Sequence, residues 1–196
     1  MRHSSMFVTV SLIAVACLGS PSSRADATVT VAETPAAGDT SAAELRRRFA
    51  GSYRYAGDAR EQRSRLEAID RSVASFFFAV RGMARSKIDD RTRIMPTCVF
   101  EFSDGKIRST VPGHPVAVSP ETGAPASYRV DDDAIVLTQR FDGPRLVQIF
   151  RADEGGTRKN EFTMSADGKL LFMKATLSSP KLSIPVVYTL TYSRVP

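Results

Sequence analysis

Tryptophan is absent from the 196 residues, and cysteine and histidine occur only twice each. Cys17 and His3 fall in a leader-like segment that is expected to be removed. The remaining Cys98 and His114 cannot form an intramolecular disulfide, nor a zinc site built from several Cys or His ligands. No G-x-G-x-x-G, P-loop or H-E-x-x-H is present. A nucleophilic triad or dyad would have to use His114, which sits in the proline-flanked loop Pro112-Gly113-His114-Pro115. Cys98 lies in a strand-like run and reads as a buried, inert thiol. The acidic triplet Asp131-Asp132-Asp133 lacks the ligand alternation and distal glutamate of an EF-hand loop and reads as a solvated turn. The expectation is therefore a non-enzyme with no metal and no cofactor. Otherwise the composition is ordinary: 42% hydrophobic and 24% charged residues suit one globular domain with a real core.

Residues 1–27 have the layout of an export signal. Arg2 gives a basic start, Phe7 to Leu18 is apolar, and Ala25-Asp26-Ala27 supplies small residues for cleavage. An apolar stretch of about twelve residues is too short to cross a bilayer, which takes roughly 20. An alternative processing site is Ala14-Val15-Ala16-Cys17, which resembles a bacterial lipobox and would anchor a lipoprotein through Cys17. Residues 28–43 are small, polar and interrupted by Pro35 and Gly38, as in a flexible linker. The folded domain is expected over 44–196, in an extracytoplasmic location, either periplasmic or secreted.

Removing Arg2, Arg24 and Asp26 takes the net charge from +6 to +5. The excess is local: residues 44–93 carry 13 Lys/Arg against 7 Asp/Glu, and residues 94–196 carry 12 against 11. Export and the interleaving of both signs exclude a nucleic-acid partner. An anionic envelope surface fits better, with a simply solvated helix face as the plain alternative.

Phe49, Gly51, Tyr53 and Tyr55 alternate as in a short first strand. Asp58, with Glu61 three residues on, suits a capping box. Leu66, Ile69, Val73, Phe76, Phe77, Val80, Met83 and Ala84 then recur at steps of three and four, predicting one long amphipathic helix. Phe78 points away from that stripe, so it either packs under a loop or adjoining strand or meets a partner. Gly82 marks a bend or an early end. From residue 97 onward the period becomes two. Runs at 97–102, 107–111, 128–130, 135–141, 146–151, 162–164, 171–177 and 186–192 are separated by turns such as Asp104-Gly105 and Asp167-Gly168. A meander of this kind buries one face fully only by closing on itself or wrapping around something.

Strand, helix and then a meander resembles the order of calycin-type barrels, above all the fatty-acid-binding branch, where a helical segment lids the barrel. Phe49-Ala50-Gly51-Ser52-Tyr53 also resembles the Gly-x-Trp opening of lipocalins, with Tyr53 in place of the tryptophan. That likeness implies that Arg194, after the last strand, packs across the Tyr53 ring. The expected fold class is thus α+β, mainly β. It is an antiparallel lipocalin-like barrel or strongly curved sheet of about eight strands, with one long helix after the first.

Such a barrel implies a small binding protein that holds an apolar or amphipathic ligand. Phe100, Phe102, Phe162, Met164, Leu171, Met173, Tyr188 and Leu190 are the candidate lining, with Tyr188 and Tyr192 as orienting polar groups. The alternative is a non-enzymatic envelope module with a filled barrel, working through Arg71, Phe78, Arg81 and Arg85 on the helix. A monomer is expected in either case.

Overall fold

The computed structural model describes residues 41–153 and 155–196. The export segment, Cys17 and residues 28–40 of the linker lie outside them. The elements are α1 (Ala42–Phe49), β1 (Gly51–Tyr55), α2 (Ala59–Val73), α3 (Phe78–Arg91), β2 (Thr97–Ser103), β3 (Lys106–Thr110), β4 (Ala117–Pro120), β5 (Ala126–Val130), β6 (Asp133–Asp142), β7 (Arg145–Ala152), β8 (Thr157–Met164), β9 (Leu170–Ser178) and β10 (Val186–Arg194). The strands form one antiparallel sheet in the order β4-β3-β2-β1-β10-β9-β8-β7-β6-β5. Its two edges curl together. Thr122 bridges to Arg140, Gln139 on β6 donates to Ser119 Oγ on β4 at 3.2 Å, and the Tyr128 hydroxyl on β5 donates to the Pro115 carbonyl at 3.1 Å. The result is a nearly closed barrel.

Ten strands replace the eight expected. Ala117–Pro120 was hidden among prolines, but it is the end strand of the sheet, with a ladder to β3 alone, a position where proline is tolerated. The Asp104-Gly105 turn behaves as expected, with φ of 51° and 67°, the left-handed pair that a two-residue hairpin needs.

The single long helix is also corrected. Its residues form a hairpin of α2 and α3, broken at Ala74–Phe77. One rod through residue 84 would measure roughly 39 Å, longer than a small barrel's mouth is wide. Folding back leaves α2 docked on β10, with α3 packed against α2 and only Ile88, near the end of α3, buried in the core. At the break, Phe77 takes an extended backbone (φ −56°, ψ 138°), and the Arg81 guanidinium donates to the Ala74 and Phe76 carbonyls at 2.9 and 3.0 Å. These are carbonyls that a terminated helix leaves without partners. Asp58 caps α2 by accepting from the Arg60 and Glu61 amides at 2.8 and 3.1 Å. Glu61 does not complete the capping box; instead it accepts from the Thr191 amide and hydroxyl at 3.0 and 2.6 Å, docking α2 on β10. Ile69 and Val73 are buried beneath it, each contributing about 1.5–3 kcal/mol by leaving water. Arg65 ties the hairpin together, pairing with Asp89 at 2.7 Å and donating to Thr92 Oγ1 at 2.8 Å.

Helix α1 overlaps the end of the expected linker and the start of the expected first strand. It closes the other end of the barrel. Ser41 caps it by accepting from the Glu44 amide, and Leu45 and Phe49 are buried. Phe49 meets Phe141 at 5.7 Å, and Phe141 stacks on Phe102 at 5.6 Å. Arg194 lies over the Tyr53 ring, 5.1 Å from its centroid, as the lipocalin likeness implied. It also donates to Tyr53 Oη at 2.8 Å, Gly168 O at 3.1 Å and Ala50 O at 2.6 Å. Gly51 is required beneath it. Its φ is 134°, and a side-chain Cβ there would come within 2.8 Å of the guanidinium.

Candidate functional site

Alternation along each strand turns every second residue inward, and the two ends of the barrel use those positions differently. Around α1 the interior is filled by Phe49, Phe102, Phe141, Leu146 and Leu171. Toward the helical hairpin it opens into a cavity of about 400 Å³. Its floor is the edge-to-face pair Phe100 and Phe162, 5.0 Å apart. Met173, Leu190, Tyr192 and Cys98 line its sides. Arg91 at the end of α3, Arg93 and His114 in loops, and Asp133 and Arg158 at strand starts line its mouth.

One wall is polar. Ser109 on β3, Gln148 on β7 and Asn160 on β8 line the cavity and belong to a hydrogen-bonded chain. Gln139, fully buried, donates to the Ile107 carbonyl at 3.0 Å. Gln148 Nε2 donates to Ser109 Oγ at 2.8 Å and to Gln139 Oε1. Asn160 Nδ2 donates to Gln148 Oε1 at 3.4 Å, and Arg158 Nε donates to Asn160 Oδ1 at 3.0 Å. Arg158 continues to the Arg91 carbonyl at 2.8 Å and to Tyr188 Oη at 3.4 Å. Each buried amide thus has a partner, which removes most of the cost of placing it inside. Burial pushes the Cys98 thiol up to about 12, an unreactive setting. Burial likewise holds the Tyr192 phenol above the usual tyrosine range.

Of the eight lining candidates, Phe100, Phe162, Met173 and Leu190 border the cavity. Phe102, Met164 and Leu171 pack at the filled end. Tyr188 is buried at the rim, its hydroxyl 3.5 Å from the Thr92 carbonyl. Sequence reasoning missed Arg158, Asn160, Gln148 and Ser109, because it looked for apolar inward faces. The signal was present: stepping back by two from Phe162 gives Asn160 and Arg158, and Leu146, Gln148 and Phe150 form a similar series.

The helix-surface candidates meet at the hairpin but differ in what they do. Phe78 is 76% exposed, beside Phe77 at 68%, Val80 at 48% and Met83 at 76%. Packing under a loop is therefore excluded for Phe78. Arg71 is exposed. Arg81 caps the break, and Arg85 pairs with Asp70 at 2.6 Å.

No protein-family model matches the sequence, and no curated protein matches it. Solved structures do. The chain is similar to an SAHS (secretory abundant heat soluble) protein from Ramazzottius varieornatus, at 7% identity over 76% of this chain and 96% of that one, with a TM-score of 0.52. Fatty-acid-binding protein 1 of Echinococcus granulosus aligns at 15% identity over 76% and 99% of the chains, with a TM-score of 0.45. A Schistosoma mansoni fatty acid binding protein in complex with arachidonic acid aligns at 14% over 78% and 99%, with a TM-score of 0.46. At such identities the likeness is one of fold, and the fold of this chain is an antiparallel, nearly closed β-barrel with a helical hairpin inserted after its first strand.

Proposed function

We propose that this protein is an exported, monomeric, non-catalytic carrier that holds one apolar or amphipathic small molecule in the open half of its barrel. The cavity carries the reading. Its volume, about 400 Å³, lies within the range of roughly 300–1,000 Å³ typical of small-molecule sites, and its mix of apolar walls with a few fixed polar groups is the usual composition. A filled-barrel module has no use for this space. The test is organic extraction of the purified protein followed by mass spectrometry, together with titration of an apolar fluorescent dye. A recovered small molecule or saturable one-to-one dye binding is expected. An empty extract with no dye response would overturn the reading.

The exposed tip favours a second role, contact with an anionic envelope surface. Residues 71–88 carry Arg71, Arg81, Arg85 and Lys87 and no acidic residue, alongside the four exposed apolar side chains. Replacing Phe78 with Ser should leave Tm within about 2 °C, since the ring buries little, while reducing co-sedimentation with anionic phospholipid vesicles. A larger fall in Tm, or unchanged sedimentation, would remove this role.

A further inference from the structure

We infer that Arg158 selects the ligand: the bound molecule carries an anionic oxygen group, seated on Arg158 at the cavity mouth, with its apolar part directed down toward Phe100 and Phe162. This rests on the carrier reading and specifies what the carrier takes.

Three arginines border the cavity, and two are paired: Arg91 with Asp133 at 3.6 Å and Arg93 with Asp90 at 3.2 Å. Arg158 is half-buried, and its bonds among the described residues go to neutral acceptors, Asn160 Oδ1, the Arg91 carbonyl and Tyr188 Oη. A guanidinium has five N–H donors in a planar fork, so these bonds leave donors for a further acceptor. Among the described residues no carboxylate pairs with it. Withdrawing a cation from water is costly unless an anion or several acceptors replace that water. A carboxylate, sulfonate or phosphate oxygen does so with short, charge-assisted bonds.

The same charges fix the orientation. Below Arg158 the wall passes through Asn160 and Gln148, both uncharged, to the ring pair Phe100 and Phe162. No cation borders the cavity at that depth among the described residues. An anion pushed to the floor would lose its water and gain only amide dipoles. Held at the mouth, it keeps Arg158 on one side and solvent on the other, while the apolar part fills the space that water occupies poorly.

The experiment uses two dyes with the same apolar body, 8-anilinonaphthalene-1-sulfonate and its uncharged counterpart N-phenyl-1-naphthylamine. A Phe77→Ser/Phe78→Ser background keeps the exposed tip from contributing. The parent should bind the sulfonate at least tenfold more tightly than the neutral dye, and added salt should weaken only the former. Arg158→Gln should weaken sulfonate binding about tenfold and leave the neutral dye unchanged, with Arg158→Lys recovering part of the loss. Equal weakening of both dyes would make Arg158 a structural residue and overturn the inference. So would equal affinities in the parent, a result that needs no variant to fold. If neither dye binds, the carrier reading itself fails, and the inference falls with it.

Discussion

Around α1, strands β2, β6, β7 and β9 turn Phe102, Phe141, Leu146 and Leu171 inward, and Phe49 packs among them with its ring 5.7 Å from that of Phe141. Further along, β3, β7 and β8 turn Ser109, Gln148 and Asn160 inward, and the space between them stays open. The same sheet therefore supplies a packed core at one end and a container at the other. The physical difference is partner supply. Apolar side chains at the closed end gain by filling space and by contact with α1. At the open end the polar groups are satisfied by one another along the wall, so they have no need to meet across the centre. Close packing and open volume are assigned to different halves of one barrel.

Substitutions should expose that division. The largest effect is expected at the closed end: Phe49→Ala removes a ring that is 1% exposed and should cost about 3–5 kcal/mol in urea denaturation. Met173→Ala, beside existing space, should cost only about 2 kcal/mol, at the low end of such truncations. Equal costs would mean that the two halves are packed alike. Arg194→Ala should cost about 2–3 kcal/mol, because the Ala50, Gly168 and Tyr53 oxygens lose a charged donor, and dye binding by the folded fraction should persist.

Filling the open end should do the reverse. Ala117→Leu adds bulk to a residue that lines the cavity and should change stability by no more than about 1 kcal/mol. The same variant should lower dye affinity at least tenfold. The smallest expected effect concerns Cys98. Its thiol should resist alkylation at pH 8 in the native protein and react fully in urea. Burial raises its pKa from 9.0 to about 12, so the unfolded chain loses that proton first. Stability should therefore fall as pH rises above 9. Rapid native labelling at pH 8 would show that the thiol is open to solvent.

The hairpin turns and most strands were legible because their signals are local. Asp104-Gly105 accepts left-handed dihedrals wherever it occurs, and Tyr188, Leu190 and Tyr192 alternate with Thr189, Thr191 and Ser193 regardless of partner strands. The start of β8 was legible only by counting back from Phe162, since Thr157 to Glu161 is polar on both faces and no apolar side marks the interior. The break in the helix escaped for a related reason. Leu66 through Ala84 keeps one apolar stripe in sequence, but only Ile69 and Val73 on it are fully buried, and Phe77 and Met83 face solvent.

From its own residues the chain specifies alternating strands, tight turns and an amphipathic helical stretch, because these depend on neighbours a few positions away. Which inward faces meet, and which stay apart around a void, depends on strand stagger and on the helix that plugs each end. The open half, its polar wall and the position of Arg158 are products of that closure. Side-chain alternation reports which way a residue points; only the assembled barrel sets how far away the opposite wall lies.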